Sequence, residues 1–314
     1  MTTDHENATP TIVSLGEPMY EFSQLPASPK QYLQGFGGDT MNAAIAAARL
    51  GARVAYVTRL GDDEFGRQFL QLWREEAIDT SGVQIDPEAH TAVYFITHHA
   101  AGHVFSYLRK GSAASRMRPE HLPRRLIQNA QLFHTSAISQ AISMSARDSV
   151  FAAIELARKA GVRVVYDANL RLRLWSIDEA REVIAKTIAL SDFFLPSLED
   201  LQALTKISQP RALLDWCYQQ GARKVALKLG AQGVLASDGV RTEEIAGYAV
   251  NSVDATGAGD CFAGALMARM TQGEDFFAAL RFANAAAALA TTGYGAVAPL
   301  PNTRQVSELL ARRA

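Results

Sequence analysis

Short β-branched runs that alternate with amphipathic stretches constrain this chain more than any other feature. The runs are TIVSLG (11–16), ARVAYVT (52–58), QLFHTSA (131–137), VRVVYDA (162–168), DFFLPS (192–197) and KVALKLG (224–230). Apolar residues at successive positions suit strands covered on both faces of a parallel sheet. Between them NAAIAAARLG (42–51), DEFGRQFLQLWREEA (63–77), SARDSVFAAIELARKAG (145–161) and DEAREVIAKTIAL (178–190) repeat apolar residues at helical spacing. Gly51 suits a helix C-terminus. This alternation predicts an α/β fold built on a doubly wound sheet. A length of 314 residues accommodates one such domain, residues 1–314.

Residues 17–36 and 91–110 break the rhythm. YEFSQ, QYLQGF, TAVYFITHH and HVFSYLR read as strands and turns with no helix between them, which predicts a small antiparallel sheet projecting from the core as a lid. Exposed edges of such a sheet could pair between copies; the oligomeric state is not readable from the residues.

Several function classes are disfavoured. A net charge of −1 gives no electrostatic case for nucleic acid or an anionic membrane. No apolar run is long enough for a transmembrane helix, and MTTDHENATP lacks the basic and apolar regions of a leader. A cytoplasmic protein is expected. Cys217 and Cys261 cannot form a disulfide framework or zinc site. His98, His99 and His103 lie close together without a metal motif's spacing or an acid partner.

VDATGAGDCFAGALMARM (253–270) places a glycine cluster before a helical apolar stretch, with Asp260 at the junction. A helix N-terminus offers unpaired N–H groups to an anion, and Gly257 and Gly259 let the backbone approach it. No Walker lysine follows, and Phe262 stands where a dinucleotide fingerprint needs its third glycine. A carboxylate beside a phosphate site makes sense if the phosphoryl group is transferred. Asp260 would take the proton of an attacking hydroxyl, while the amides of Gly257, Ala258 and Gly259 hold the developing negative charge. A second reading of Asp260 alone is a simple helix cap.

DATGAGDCFAGAL (254–266) resembles the C-terminal signature of the ribokinase-like, phosphofructokinase-B type sugar kinases, and GGDTMNAAIAAARLG (37–51) resembles their N-terminal signature. The resemblance spans nearly the whole chain. It implies a Rossmann-like core, a β-lid, ATP with Mg²⁺, and phosphoryl transfer to a sugar hydroxyl with Asp260 as base. Gly37, Gly38 and Asn42 match the sugar-side motif. Lys228, Gly230 and Gly233 match a strand and glycine turn beside ATP, and Asn284 falls where relatives approach the adenine. Asp254 and Thr256 match positions that hold a monovalent cation such as K⁺ in some members. The family's N-x-x-E reads Ser197-Leu198-Glu199-Asp200 here, so either Glu199 or Asp200 would orient Mg²⁺ through water, with Ser197 on the nucleotide side.

Three stretches further resemble the 2-keto-3-deoxygluconate kinase branch: LGEPMYEF (15–22), SYLRKGSAAS (106–115) and DANLRLRLW (167–175). They bring Tyr107, Arg109, Asp167, Asn169 and Arg171 toward an acceptor, with Tyr94 as a pocket wall. Arginine suits a planar carboxylate because its fork donates two parallel hydrogen bonds. Arg171 is open to a second role on the transferring phosphate. The alternatives on residues alone are a solvated Arg109 and an Arg171–Asp167 pair. The implied reaction converts 2-keto-3-deoxy-D-gluconate, a sugar acid, to its 6-phosphate. The rivals are a fructokinase or other neutral-sugar kinase, and a non-catalytic sugar sensor on the same fold.

Overall fold

The computed structural model describes residues 10–25, 28–99 and 102–312. The stretch MTTDHENAT, read above for a leader, lies outside the described residues, as do the side chains of His98 and His103. The strands are β1 (Ile12–Leu15), β2 (Met19–Leu25), β3 (Ser28–Gly37), β4 (Val54–Gly61), β5 (Asp79–Asp86), β6 (Val93–His99), β7 (Gly102–Leu108), β8 (Leu132–Ser136), β9 (Arg163–Asp167), β10 (Phe193–Phe194), β11 (Lys224–Lys228), β12 (Gly233–Ser237) and β13 (Thr242–Ala246).

All six apolar runs become neighbouring strands of one large sheet, ordered β13-β12-β11-β10-β9-β8-β1-β4-β5. From β11 to β5 every pairing is parallel. Ile12 of β1 lies between Val54 and Leu132. The chain runs from β1 outward to β4 and β5, then returns to β8 on the other side of β1. The strand order therefore reverses between β1 and β8, the place where open α/β sheets form a crevice at their carboxyl ends.

The sheet alternation divides the core. Ile12, Tyr56, Leu132, Val165 and Ala226 face one layer of helices. Val13, Leu15, Val57, Phe133 and Val164 face the other. The first layer contains the two motif helices, Asp39–Arg49 and Ala258–Thr271, with Phe276–Ala290 against them. Both motif helices are buried over most of their length, as fits helices apolar on every side. They approach closely at Gly264, where an added Cβ would lie 2.3 Å from the Ala43 carbonyl oxygen and 2.7 Å from Ala46 Cβ. Backbone cannot retreat as a flexible side chain can. Gly264→Ala is expected to cost roughly 1–3 kcal/mol, the usual range for overpacking. Thermal unfolding would register it as a lower Tm.

The small sheet has the order β3-β2-β6-β7 and occupies the two segments that broke the rhythm. It is mixed, which corrects the antiparallel expectation: β2 pairs with β6 in parallel. The chain between them crosses the large sheet through β4 and β5, so it re-enters running in the same direction. One face packs Tyr20, Phe22 and Phe36 on Phe65 and Phe69. The other presents Glu21, Tyr94 and Tyr107, aligned by the register Glu21↔Tyr94 and Tyr94↔Tyr107.

Candidate active site

At the switch point the loops and helix starts bring together residues distant in sequence. Asp39, Ala43, His134, Ser136, Asp167, Asp260 and Ala263 line one small space. Asp39 opens the first motif helix, which follows Gly38 at φ 118°. A Cβ on Gly38 would sit 2.5 Å from the Glu17 carbonyl oxygen, so glycine is required where this turn crosses the end of β1. Gly37 has another reason: a Cβ there would meet the Tyr94 hydroxyl at 2.5 Å.

Asp260 lies in the first turn of the second motif helix. The cap position is Gly257, at φ 75°, and no side chain caps this end. Asp260 thus does not act as the cap, and the helix start keeps donors to offer an anion. Its Oδ2 instead accepts a hydrogen bond of 2.8 Å from Asn42 Nδ2, tying the two motifs together. Burial pushes Asp260 up to about 7, and the Asp39 charge adds to the rise against the Asn42 bond. Asp39 is likewise raised by burial, opposed by hydrogen bonds from Ser136 and the Thr40 N–H. Asn169 Nδ2 donates to Asp39 Oδ2 at 2.9 Å. A carboxylate raised toward neutrality beside a helix N-terminus has the proton affinity that a general base needs.

Lys228, at the end of β11, donates to Asp167 Oδ2 at 2.7 Å. Asp167 therefore pairs with lysine, and the alternative Arg171–Asp167 pair is not formed. The ammonium also lies beside the glycine cluster, 3.3 Å from where a Gly259 Cβ would be. Gly259→Ala is expected to push the ammonium off the anion site and lower kcat more than ATP affinity, because fixed charge acts most on developing charge. Steady-state kinetics with a separate ATP Kd checks this; weakened ATP binding at unchanged kcat would make the site a passive phosphate cradle. The left-handed turn rests on Gly257, since Gly259 is helical.

Gly230 and Gly233, expected beside ATP, turn the chain from β11 into β12 with positive φ. Asn284 Nδ2 donates to the Ala246 carbonyl at 2.9 Å, which anchors the end of β13. Ser197 caps the helix Leu198–Thr205 by accepting from the Asp200 N–H. Glu199 is exposed. Asp200 is raised by burial and by the Asp167 charge, against Lys228, so it faces the centre. Asp254 Oδ1 accepts from both the N–H and the hydroxyl of Thr256, and its Oδ2 from the Gly295 N–H. Among the described residues no three His, Cys, Asp or Glu side chains cluster as a metal set. Both cysteines are buried and unpaired.

Arg109, expected on the acceptor side, has a partner that sequence reasoning missed. Its Nε and Nη2 both donate to Glu17 Oε2, the Nε bond at 2.9 Å. Glu17 is fully buried and Arg109 is 13% exposed, so the solvated-edge alternative fails. Ser112 Oγ donates to the other Glu17 oxygen at 2.8 Å. The guanidinium lies 5.6 Å from the Tyr107 ring centre, and Tyr107 stacks on Tyr94. The Tyr94 hydroxyl donates to Glu21. Arg171 is exposed and donates to the Leu170 carbonyl.

Asp39, Ser136 and His134 were not singled out from sequence. The signal was present: FHTS sets three polar residues at the C-terminal end of an otherwise apolar strand, and they end beneath the crevice.

Comparison with known proteins agrees with this geometry. The family model of the pfkB family carbohydrate kinases matches residues 9–303. The chain is 34% identical over 311 residues to the 2-dehydro-3-deoxygluconokinase of Thermoproteus tenax, covering 96% of this chain and 94% of that protein. It is 33% identical over 316 residues to probable fructokinase-4 of Arabidopsis thaliana, covering 95% and 96%. The two resemblances are equal in strength, so the gluconokinase branch is not singled out. Fructokinase with bound ATP from Xylella fastidiosa superposes with a TM-score of 0.89 at 28% identity, covering 98% and 99%. With both signatures joined by the Asn42–Asp260 hydrogen bond at the switch point of the large sheet, and the family model matching residues 9–303, the chain belongs to the pfkB family of carbohydrate kinases.

Proposed function

We propose that this kinase transfers the γ-phosphoryl group of ATP to the terminal hydroxyl of 2-keto-3-deoxy-D-gluconate, giving the 6-phosphate. The observation that carries phosphoryl transfer is Asp260, raised toward neutrality in the first turn of a helix whose start no side chain caps, with the Lys228 ammonium beside Gly259 of the same turn. Asp260 removes the hydroxyl proton, and the amides of Gly257, Ala258 and Gly259 receive the charge that moves onto the phosphoryl oxygens. Asn42 and Asn169 hold Asp260 and Asp39 in place.

ATP lies along Lys228, Gly230 and Gly233, with Asn284 steadying the strand end beside it. Mg²⁺ bound with ATP would neutralise phosphate charge, and Asp200, which faces the centre, rather than the exposed Glu199, would be the carboxylate to hold it. Asp254 and Thr256 would hold a monovalent cation such as K⁺. The acidic acceptor is recognised by Arg109 and Arg171, with Tyr94 and Tyr107 as walls. Arg109 Nη1 makes no hydrogen bond among the described residues, while its other nitrogens are held on Glu17. That arrangement orients one donor rather than a free fork.

The Glu17–Arg109 pair also favours a second reading, a fructokinase, because it neutralises the charge that would select an acid. A rival of another class, a sugar sensor, lacks support from a site with its proton acceptor intact. The chain is read as cytoplasmic; among the described residues no helix is long and apolar enough to cross a membrane. The small sheet exposes Tyr32, Leu33, Val104 and Leu108, which suits pairing of copies into a homo-oligomer.

An ATP-consumption screen over acidic and neutral sugars tests the proposal. The keto-deoxy acid is expected to drive ADP formation and accumulate phosphate on its terminal carbon. Turnover confined to fructose would move the assignment to the second reading, and no turnover with any sugar would support the sensor.

A further inference from the structure

Arg49 is the last residue of the first motif helix, and its guanidinium bonds to groups outside that helix. Nε donates to Glu76 Oε2 at 3.0 Å and Nη2 to Glu76 Oε1 at 2.6 Å. Glu76 follows the helix Glu64–Glu75. Nη1 turns the other way and donates to the carbonyls of Val297 and Leu300 at 2.9 and 3.0 Å. The dipole at a helix C-terminus accounts for a cation at this position. It does not account for a fork. A carboxylate on one side and two carbonyls on the other call for several donors spread over a fixed plane, which a lysine ammonium does not offer.

The two carbonyls belong to the segment 291–300, which has neither helix nor strand. With no ladder of its own, its place is set by the groups that hold it. At its start the Thr291 carbonyl accepts from the N–H groups of Val253 and Asp254 at 2.8 and 3.1 Å. In its middle the Gly295 N–H donates to Asp254 Oδ2 at 2.9 Å. Ala296 lies directly on Gly257: a Cβ there would sit 3.0 Å from the Ala296 carbonyl oxygen and 3.1 Å from its Cα. At its end stands Arg49. The segment is therefore wedged between Arg49 and the turn 253–257, whose left-handed Gly257 starts the helix carrying Asp260. Val297 follows Ala296 directly, so releasing the Val297 carbonyl frees the backbone that rests on Gly257.

We propose that Arg49 is a positioning residue for phosphoryl transfer: through the segment 291–300 it holds the turn 253–257, and so fixes the direction in which the Gly257, Ala258 and Gly259 amides point. It acts through that segment and not by contact with the reacting atoms. Donors aimed at developing charge work only while their aim is kept. Removing one such donor typically costs roughly 10²–10³ in kcat, so loosening the set is expected to cost less, about tenfold. ATP in its ground state depends less on that aim, and its affinity should change little.

This role rests on the kinase reading of the site, and the test separates the two. Arg49→Met and Glu76→Gln are compared in the full chain by kcat, KM, ATP Kd and Tm, using a sugar that the wild type phosphorylates in the screen above. Amide hydrogen exchange over residues 253–260, which reports local opening, is followed without any ligand. Both variants remove the Arg49–Glu76 ion pair, but only Arg49→Met releases the two carbonyls. Arg49→Met is expected to lower kcat about tenfold, to leave ATP Kd near wild type and to speed exchange over 253–260. Glu76→Gln should keep wild-type values for all three, even where its Tm falls. Equal kcat in the two variants, or exchange over 253–260 as slow in Arg49→Met as in wild type, overturns the inference. Should Arg49→Met fail to fold, Arg49→Lys decides it. The ammonium can follow Glu76 and leave the carbonyls, so exchange over 253–260 should exceed that of Glu76→Gln, and equal exchange overturns the role. A wild type that phosphorylates no sugar overturns the kinase reading; an active wild type whose Arg49→Met variant matches Glu76→Gln overturns the Arg49 inference alone.

Discussion

Asp260→Asn is expected to lose roughly 10²–10⁴ in kcat, the usual contribution of a general base, while folding and binding ATP normally. The asparagine amide oxygen can still accept from Asn42, so the joint between the motif helices survives. The variant should also be more stable than wild type at neutral and higher pH. An aspartate raised from 3.8 toward about 7 makes the folded chain bind more protons than the unfolded one across that interval. Stability then falls as pH rises through it. Asparagine removes this penalty, so its Tm should exceed wild type by a few degrees at pH 8, with the advantage gone near pH 4. The wild-type kcat/KM should decline below about pH 7 as the base is protonated. Kinetics and thermal melts on one preparation separate the roles: a plain structural aspartate would lower Tm and spare kcat.

Arg109→Leu should be severely destabilising as well as selective, because Glu17 has no exposure and would keep only the Ser112 hydroxyl. Removing one partner of a buried pair typically costs about 3–5 kcal/mol. For a chain of this size that is a Tm loss on the order of ten degrees. The double variant Glu17→Gln/Arg109→Leu removes the stranded charge and should recover most of the loss. If Arg109 also recognises the acceptor carboxylate, the double variant remains impaired on the keto-deoxy acid and unchanged on fructose. If the pair is purely structural, both activities return with stability. The melting curve of the single variant and the substrate ratio of the double one read the two effects independently.

The strand sheet was legible because burial on both faces writes continuous apolar runs into β1, β4, β8, β9 and β11. The hairpin β12–β13 was not read, although Asp238-Gly239 marks its turn. Its outer strand TEEIA is mostly exposed, so it carries no apolar run. The Asn42–Asp260 bond joins residues 218 positions apart, yet both lie in recognisable motifs, which made each end legible separately. Glu17 and Arg109 are 92 positions apart, and neither residue signals the other. Arg109 read as a free charge because a burial set by the approach of β7 to the end of β1 is a tertiary property. His134 was hidden for a related reason: within a strand, a polar residue facing a helix layer and one facing a site look alike until the sheet order is known.

The acidic acceptor is the central claim, and one comparison addresses it: wild-type kcat/KM for 2-keto-3-deoxygluconate against the same sugar with its carboxylate replaced by a carboxamide. A hydrogen bond to a charged group contributes about 1.5–3 kcal/mol, and about 1.4 kcal/mol is tenfold. The account predicts a loss of roughly ten- to a hundredfold on removing the charge, with kcat changed less than KM. Equal kcat/KM for the two compounds would contradict carboxylate recognition and leave a neutral-sugar kinase with the Asp260 chemistry intact.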